Sequence, residues 1–477
     1  MRLATIVAEL NDVEVVGLSG SPAVADLEIT DVNFDSRRVG AGSLFCCVRG
    51  VTDDGHLHAA EAVEAGAVAL LVEQRVEADV PQLVVSNVRE AMAKASATCF
   101  GNPADDLIVV GVTGTNGKTT TTWMLRNIFA AADRNVEVLG TLSGARTTPE
   151  SPDLQRRLAE WRDDGVEVVA MEVSSHAIDQ HRVDAMKFRV AMFTNLSRDH
   201  LDYHGSMEEY FETKARLFGP ERCESAVVNL DSPHGRLLAD AATVPTDGYS
   251  LDEVDDLHLS VAGSTFLWSG HRVSLTLGGL FNVSNALGAA HVARALGIDD
   301  ATIAQGLSLP LIVEGRFESV DAGQPFAVIV DYAHTPDGLE QLLIAAGDLV
   351  EGRVIVVFGC GGDRDQSKRS MMGETAVLRA DTVIITADNS RSESTDQIIA
   401  SILEGVQRVQ GPRASAVTVE PDRRAAISAA LQSAVAGDIV LLAGKGHETV
   451  QIIGETTIPF DDRAVAREVW KQLEATR

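Results

Sequence analysis

Short apolar runs recur along the chain, separated by turn residues and by longer Ala-rich or amphipathic stretches. The first lie at 44–48, 68–72 and 83–85, with an Ala-rich helical stretch from 58 to 67 between the first two. Apolar runs of this length, bounded by turn residues, read as buried strands. Gly101-Asn102-Pro103 is a turn signal and marks a boundary. A second series follows at 107–110, 166–171 and 190–194, then a strand-like patch over 257–277 and a long Ala-rich helix starting near Asn282. A third series begins after Arg316, with runs at 327–330, 354–357, 383–385 and 439–442. Strands alternating with helical stretches predict an α/β protein with mostly parallel sheets and helices on both faces. No internal repeat or low-complexity linker interrupts the pattern.

A chain of 477 residues exceeds a single core, so two to four domains are expected. No apolar stretch reaches the ~18 residues needed to span a bilayer. The first residues lack the apolar segment of a secretory signal. The cysteines (Cys46, Cys47, Cys99, Cys223, Cys360) are scattered and odd in number, pointing to neither a disulfide framework nor a zinc site. These features predict a protein of the reducing cytoplasm without membrane insertion. The formal net charge of −29 argues against a nucleic-acid binder, which would carry a basic face. An acidic chain that binds anions must gather its few cations locally. Arg far outnumbers Lys, so each Lys in a motif carries extra weight.

The strongest chemical signal follows the run at 107–110. Thr113-Gly114-Thr115-Asn116-Gly117-Lys118-Thr119 is a glycine-bearing turn between a buried strand and a helix start. The glycines let the backbone approach phosphates, and free N–H groups at the helix N-terminus face the anion. Lys118 is placed to bridge the β and γ phosphates of a nucleoside triphosphate, and the Thr119 hydroxyl to hold Mg²⁺. Val112 stands where the strict Walker A pattern has its first Gly, so this is a variant P-loop. Glu172, in Met171-Glu172-Val173-Ser174-Ser175-His176, ends the next strand, the usual place for an acidic Mg²⁺ partner; a solvated strand-end Glu is the plainer alternative. Within 199–204, two histidines and two aspartates follow a third strand, which favours a metal or phosphate role. The segments 331–336, 359–365, 388–391 and 444–448 also follow strand ends. With 314–318, they suggest a second polar face closing over the nucleotide.

Taken in order, these segments resemble the Mur ligase family over nearly the whole chain, and Thr-Gly-Thr-Asn-Gly-Lys-Thr is that family's own form of the loop. The resemblance implies a three-domain Mur ligase architecture. An N-terminal domain (1–103) would hold the uridine nucleotide substrate and a central P-loop domain (104–317) would bind ATP. A C-terminal Rossmann-like domain (318–477) would bind the incoming amino acid and close the site. The implied activity is that of an ATP-dependent amide ligase of peptidoglycan synthesis. The γ-phosphate passes to the D-Glu carboxylate of UDP-MurNAc-L-Ala-D-Glu, and the amine of meso-2,6-diaminopimelate then displaces it. The implied partners are these small molecules and ATP, acting on a monomer.

By the same resemblance, Gly114, Thr115, Asn116, Gly117, Lys118, Thr119 and Thr120 bind ATP, joined by Asn282, Asn285, Arg316 and Asp331. Thr119 and Glu172 hold one Mg²⁺, and Glu172 and His200 a second. Lys214, carbamylated to N6-carboxylysine, also serves the second ion; Lys118, Glu172, His200 and Lys214 are the implied catalytic set. Burial lowers a lysine pKa and so favours the neutral amine that carbamylation needs; an ordinary surface-helix lysine is the alternative. Ser36, Thr147, Thr148, Ser174, Gln180 and Arg182 match contacts to the sugar peptide, although Ser36 reads equally well as a turn residue.

Arg364, Asp388, Asn389, Ser390, Arg391, Gly444 and Glu448 match the amino-acid pocket. Arg391 would grip the second carboxylate of diaminopimelate in a two-pronged ion pair, and Glu448 the distal ammonium. Diaminopimelate-adding members usually carry Asp-Asn-Pro-Arg where this chain has Asp388-Asn389-Ser390-Arg391, so L-lysine is the competing amino acid. A folylpolyglutamate-synthetase-like ligase is a further alternative. The long N-terminal α/β segment with Asp35-Ser36-Arg37 argues against it. A nucleotide-gated binding protein without turnover would be expected to lack one of Lys118, Glu172, His200 and Lys214.

Overall fold

The computed structural model describes residues 1–17, 26–50, 53–144 and 146–476. Three sheets follow one another along the chain. The first has the strand order Glu14–Val16, Gln82–Val84, Ala67–Val72, Ser43–Cys46, Asp31–Asn33, parallel except for the Glu14–Val16 edge. One face (Leu44, Cys46, Leu71, Leu83) packs on helices Leu3–Glu9 and Val88–Cys99, and the other (Phe45, Leu70, Val72) on Ala59–Glu64. The helix expected over 58–67 is shorter. A 3₁₀ turn, Gly55–His58, precedes it, and the next strand already begins at Ala67.

The second sheet has six strands, all parallel: Thr246–Tyr249, Cys223–Asn229, Phe188–Phe193, Ile108–Thr113, Val168–Glu172, Val136–Leu139. Its strands are apolar on alternate faces. Val110, Val112, Ala170 and Met192 meet helices Lys118–Ala131 and Leu280–Ala295. Val109, Met171, Phe188 and Phe193 meet helices Ser151–Asp163 and Met207–Ala215. Burial on both faces is what a parallel sheet requires, and explains why its strands read as unbroken apolar runs. The strand-like patch at 257–277 is an antiparallel trio, Val254–Ser260, Gly263–Trp268 and His271–Leu275. Its Phe266, Trp268 and Val273 join the same core as helix Leu280–Ala295.

The third sheet runs Glu318–Ser319, Ala327–Asp331, Ile439–Ala443, Val354–Phe358, Thr382–Ile385, Ala416–Val419, with only the two-residue edge antiparallel. Helix Asp462–Thr476 covers one face through Val465 and Val469. Arg423 and Asp462 form an ion pair at 2.6 Å, both side chains fully buried. Arg423 also donates to the carbonyls of Ala387 (3.3 Å) and Ala443 (3.0 Å), the residues just before two of the loops considered below. In this way the doubly wound topology collects polar loops at the carboxyl ends of the second and third sheets, where such folds bind ligands. No helix among the described residues is long and apolar enough to cross a membrane.

Candidate active site

The loop after strand Ile108–Thr113 is clamped before any ligand arrives. Gly114 (φ +149°) and Gly117 (φ +89°) take backbone angles that side chains resist. A Cβ on Gly114 would collide with the Thr194 hydroxyl, and one on Gly117 with the Asn285 amide. Segment 194–197 laces the loop down. The Asn116 N–H donates to Asn195 Oδ1 (2.9 Å), Thr194 Oγ1 donates to the Asn116 carbonyl (2.6 Å), and Thr115 N–H donates to the Asn195 carbonyl (2.9 Å). Thr115 Oγ1 also lies 3.2 Å from the Tyr210 hydroxyl. Lys118 folds back on its own loop, donating to the carbonyls of Gly114 (3.0 Å) and Thr115 (2.8 Å). Burial pulls its pKa down, against the opposing pull of Glu172 and Asp199. Thr119 and Thr120 are buried in the first helical turn. Thr119 Oγ1 accepts from Arg316 at 3.4 Å, and the Arg316 guanidinium lies 4.3 Å above the Tyr332 ring. Asp331 accepts from the N–H groups of Phe317 (2.6 Å) and Ala333 (2.8 Å), and burial raises its pKa. Asn282 anchors its helix start through the Gly278 carbonyl (2.8 Å), and Asn285 faces the loop.

Beside the loop stand Glu172, Lys214, His200 and Asp199. Glu172 is 1% exposed. It accepts from Thr141 N–H (2.8 Å) and Thr141 Oγ1 (3.3 Å), and has no ion-pair partner among the described residues. Lys214 is equally buried, donating to the Gly114 carbonyl (3.0 Å) and Thr113 Oγ1 (3.3 Å), with its ammonium 4.8 Å from the Tyr210 ring centre. Burial, and Lys118 nearby, drive its pKa well below the ordinary lysine value. His200 sits in the left-handed region (φ +53°) and packs edge-on to His176. Burial lowers its pKa, leaving a neutral imidazole at neutral pH. Asp199 is 8% exposed, lies 3.3 Å from His200 Nε2 and 3.8 Å from His334 Nε2, and so joins the second and third sheets' loops.

The side expected to hold the sugar peptide is one connected network except for Ser36. Thr148 Oγ1 donates to the Glu172 carbonyl (2.8 Å), Ser174 N–H donates to Thr148 Oγ1 (3.1 Å), and Arg182 donates to the Thr148 carbonyl (2.8 Å). Thr147 pairs with Thr141 (3.0 Å). Gln180 is occupied by Arg182 and the Tyr203 hydroxyl and does not line the cleft. Ser36 lies in the first unit, hydrogen-bonded to Glu61 (3.0 Å).

The C-terminal loops form a second network. Asn389 donates to Glu448 (2.6 Å) and accepts from Lys445 (3.3 Å) and from Ile452 N–H (2.9 Å). Lys445, fully buried, also reaches Glu448 (3.3 Å) and the Val450 carbonyl (2.6 Å). Gly444 lies against the Asp388 carboxylate. Arg391 (φ +51°) donates to the Gly362 carbonyl (2.6 Å). Arg364 is exposed on the cleft wall. The Ser390 hydroxyl is buried without a hydrogen-bond partner among the described residues, and Ser390 does not line the cleft.

A cleft of about 690 Å³ brings Thr147, Thr148, Ser174, Arg182 and His200 together with Arg364, Asp388, Asn389, Arg391, Gly444 and Glu448. Sequence reasoning assigned no role to several groups found here. They include the loop clamps Thr194, Asn195 and Tyr210, the bridging His334, the network Lys445, and Lys368. Most lie inside motif runs already visible; Lys368 follows one by three residues. Their partners are distant in sequence, and no local pattern names them.

Fold and loop together define an α/β protein with a variant P-loop facing a second sheet's ligand loops. Family profiles match on the same lines: "Mur ligase family, catalytic domain" over 28–98, "Mur ligase middle domain" over 112–293, and "Mur ligase, glutamate ligase domain" over 315–446. A UDP-N-acetylmuramoyl-L-alanyl-D-glutamate--2,6-diaminopimelate ligase of Geobacillus kaustophilus is 44% identical over 99% of this chain and 100% of its own. A solved structure with the same enzyme name superposes with a TM-score of 0.66 at 32% identity, covering 96% of this chain and 98% of its own. The MurF ligase of Thermotoga maritima, solved with ADP, shares the fold (TM-score 0.67, 22% identity, 95% and 100% covered). The chain belongs to the Mur ligase family.

Proposed function

We propose that the chain is an ATP-dependent ligase that adds meso-2,6-diaminopimelate to UDP-MurNAc-L-Ala-D-Glu through an acyl phosphate, in the cytoplasmic synthesis of peptidoglycan precursors. The units 1–103, 104–317 and 318–477 serve uridine nucleotide, ATP and amino acid respectively. What carries the reading is the single cleft in which the Thr147–Arg182 network, His200 and the Arg364–Glu448 loops meet beside the phosphate loop. Phosphoryl transfer to a carboxylate crowds negative charge into one place, and calls for cations and N–H donors more than for a protein nucleophile. Lys118 leaves its loop carbonyls for the β and γ phosphates. Arg316, donating to Thr119 Oγ1 at 3.4 Å, reaches the first helical turn to meet them, and Asn285 lies against the loop on the nucleotide's side.

Magnesium fits the donors. Glu172 is a buried carboxylate without a cation, Thr119 offers a hydroxyl, and His200 offers a neutral imidazole. This donor set, one carboxylate with a hydroxyl and an imidazole, suits an ion that takes the rest of its ligands from phosphate oxygens and water. Thr119 and Glu172, and Glu172 with His200 and carbamylated Lys214, would hold it; when bound, it supplies positive charge to the phosphate oxygens. Burial that drives the Lys214 pKa down favours the neutral amine, the species that captures CO₂, and the carbamate turns a cation into an oxygen donor.

Arg391 and Arg364 favour diaminopimelate over L-lysine, which lacks the second carboxylate and would leave a guanidinium unmatched. The test is ADP release with UDP-MurNAc-L-Ala-D-Glu and both amino acids offered together, the tripeptide identified by mass. Diaminopimelate in the product is expected. L-lysine in its place would overturn the specificity, and no ADP release with either would overturn the activity.

A further inference from the structure

The chain has only seven lysines, and four of them, Lys118, Lys214, Lys368 and Lys445, lie around this one site. Three are accounted for by contacts. Lys118 and Lys214 rest on loop carbonyls, and Lys445 is held by Asn389, Glu448 and the Val450 carbonyl. Lys368 is different. It starts helix Lys368–Arg379, is 7% exposed, and lines the cleft. Among the described residues its ammonium has no hydrogen-bond acceptor and no ion-pair carboxylate. Its neighbour Arg369, by contrast, is paired with Glu393 at 2.8 Å. An ammonium with no acceptor of its own on a cleft wall is free to take an anionic group of whatever enters the cleft.

Its surroundings say which anion. Lys368 lines the same cleft as Asp199 and His334, and its charge acts on both. The Asp199 carboxylate also acts on Lys118 of the phosphate loop. The preceding residue is tied to the second sheet's loops, Arg198 donating to Ser367 Oγ at 2.9 Å. Lys368 therefore stands on the cleft wall where loops of the second and third sheets meet, with the Asp199 carboxylate acting on both it and Lys118. We propose that Lys368 is a catalytic residue that contacts the phosphoryl group in transit from the C-terminal side, opposite Lys118. This rests on the ligase reading above. In that reaction a carboxylate oxygen bonds to the γ-phosphorus as the bond from that phosphorus to the β,γ-bridging oxygen breaks, its electron pair leaving on ADP. The amine nitrogen then bonds to the acyl carbon, the carbon–oxygen bond to phosphate breaks with its electron pair, and the amine proton is released. Negative charge sits on the same phosphoryl oxygens through both steps, so one fixed cation serves both.

The test compares Lys368→Met and Lys368→Arg with the unaltered chain. Readouts are kcat, KM for each substrate, borohydride trapping of the acyl phosphate, and melting temperature with and without ADP. Loss of one preorganised charge facing a transition state costs about 10²–10³-fold in kcat. The expected result for Lys368→Met is a kcat lower by that order, less trapped acyl phosphate, KM for diaminopimelate within about twofold, and an unliganded melting temperature equal or higher. Lys368→Arg regains part of the rate. Unchanged kcat, or a raised KM for diaminopimelate with kcat intact, overturns the assignment. So does a lowered melting temperature in both variants, which would make the lysine structural. If the unaltered chain itself fails to turn over, it is the ligase reading that falls.

Discussion

The phosphate loop and the amino-acid loops prepare for charged ligands in opposite ways. The phosphate loop is rigid and self-contained. Its glycines are wedged against Thr194 and Asn285, its N–H groups are fixed by Asn195, and its lysines rest on its own carbonyls. The amino-acid loops come from three separate strand ends. They are held by the Asn389–Lys445–Glu448 network above and by Arg423–Asp462 beneath. The first design makes a generic anion socket, the same for any nucleoside triphosphate. The second makes a shaped pocket whose parts can be altered one at a time.

The largest expected effect is at the socket. Lys118→Ala removes the charge nearest the transferring phosphate and should lower turnover by about 10³-fold or more. ADP-release assays check it, and near-normal activity would mean that the loop does not grip the triphosphate. Lys214→Ala should come next, at about 10²-fold, because it deletes a proposed metal ligand. A carbamate carbon resonance in the unaltered chain under ¹³CO₂, absent in the variant, separates that role from packing.

In the other region the effect moves from chemistry to stability and selectivity. Arg423→Met leaves Asp462 buried and unpaired, and by the behaviour of broken buried pairs should cost about 3–5 kcal/mol. Denaturant unfolding reads it directly. A loss under about 1 kcal/mol would show that the pair does not hold the loops. Arg391→Ala should raise KM for diaminopimelate by about 10–100-fold, the value of one charge-assisted double contact, with ATP affinity unchanged. Parallel losses of both would deny the contrast between socket and pocket.

How far each region could be read from sequence follows the same contrast. The socket is local: strand, turn and helix lie within 25 residues, and their spacing alone points to a triphosphate. The central strands at 107–110 and 190–194 were equally legible, because two-sided burial leaves unbroken apolar runs. Edge strands were not. Thr246–Tyr249 and Ala416–Val419 pair on one side only; the first is largely polar, and the second is a four-residue, fully exposed strand, so neither leaves the longer buried run that marks a central strand. The pocket's supports were invisible for a different reason. Arg423 and Asp462 are 39 residues apart, and Asp199 meets His334 across 135, so only the folded topology brings them together. The resemblance to a family gave the pocket its residue names; it gave no sign of what keeps them in place.

The smallest effect concerns pH and lies in the pocket's wall. His447 stacks near Tyr332 (5.2 Å), and burial, with Arg316 and Arg463, lowers its pKa to about 4. In the unfolded chain it titrates near ~6.5. As pH falls from 6.5 towards 4, the unfolded state takes up the proton first, so protonation favours unfolding. The stability contributed by a neutral His447 is thus complete above about pH 6.5 and is lost as pH drops through that window. The phosphate loop has no histidine of its own and should show no such slope. His447 is only part-buried, and solvent screening cuts the effect to under about 1 kcal/mol, so His447→Gln should reduce the fall in melting temperature between pH 7 and 4.5 by about 2 °C. His204 and His334, lowered to about 4 by burial as well, keep the remaining slope. Melting curves across that range check it, and an unchanged slope in the variant would place the acid sensitivity elsewhere.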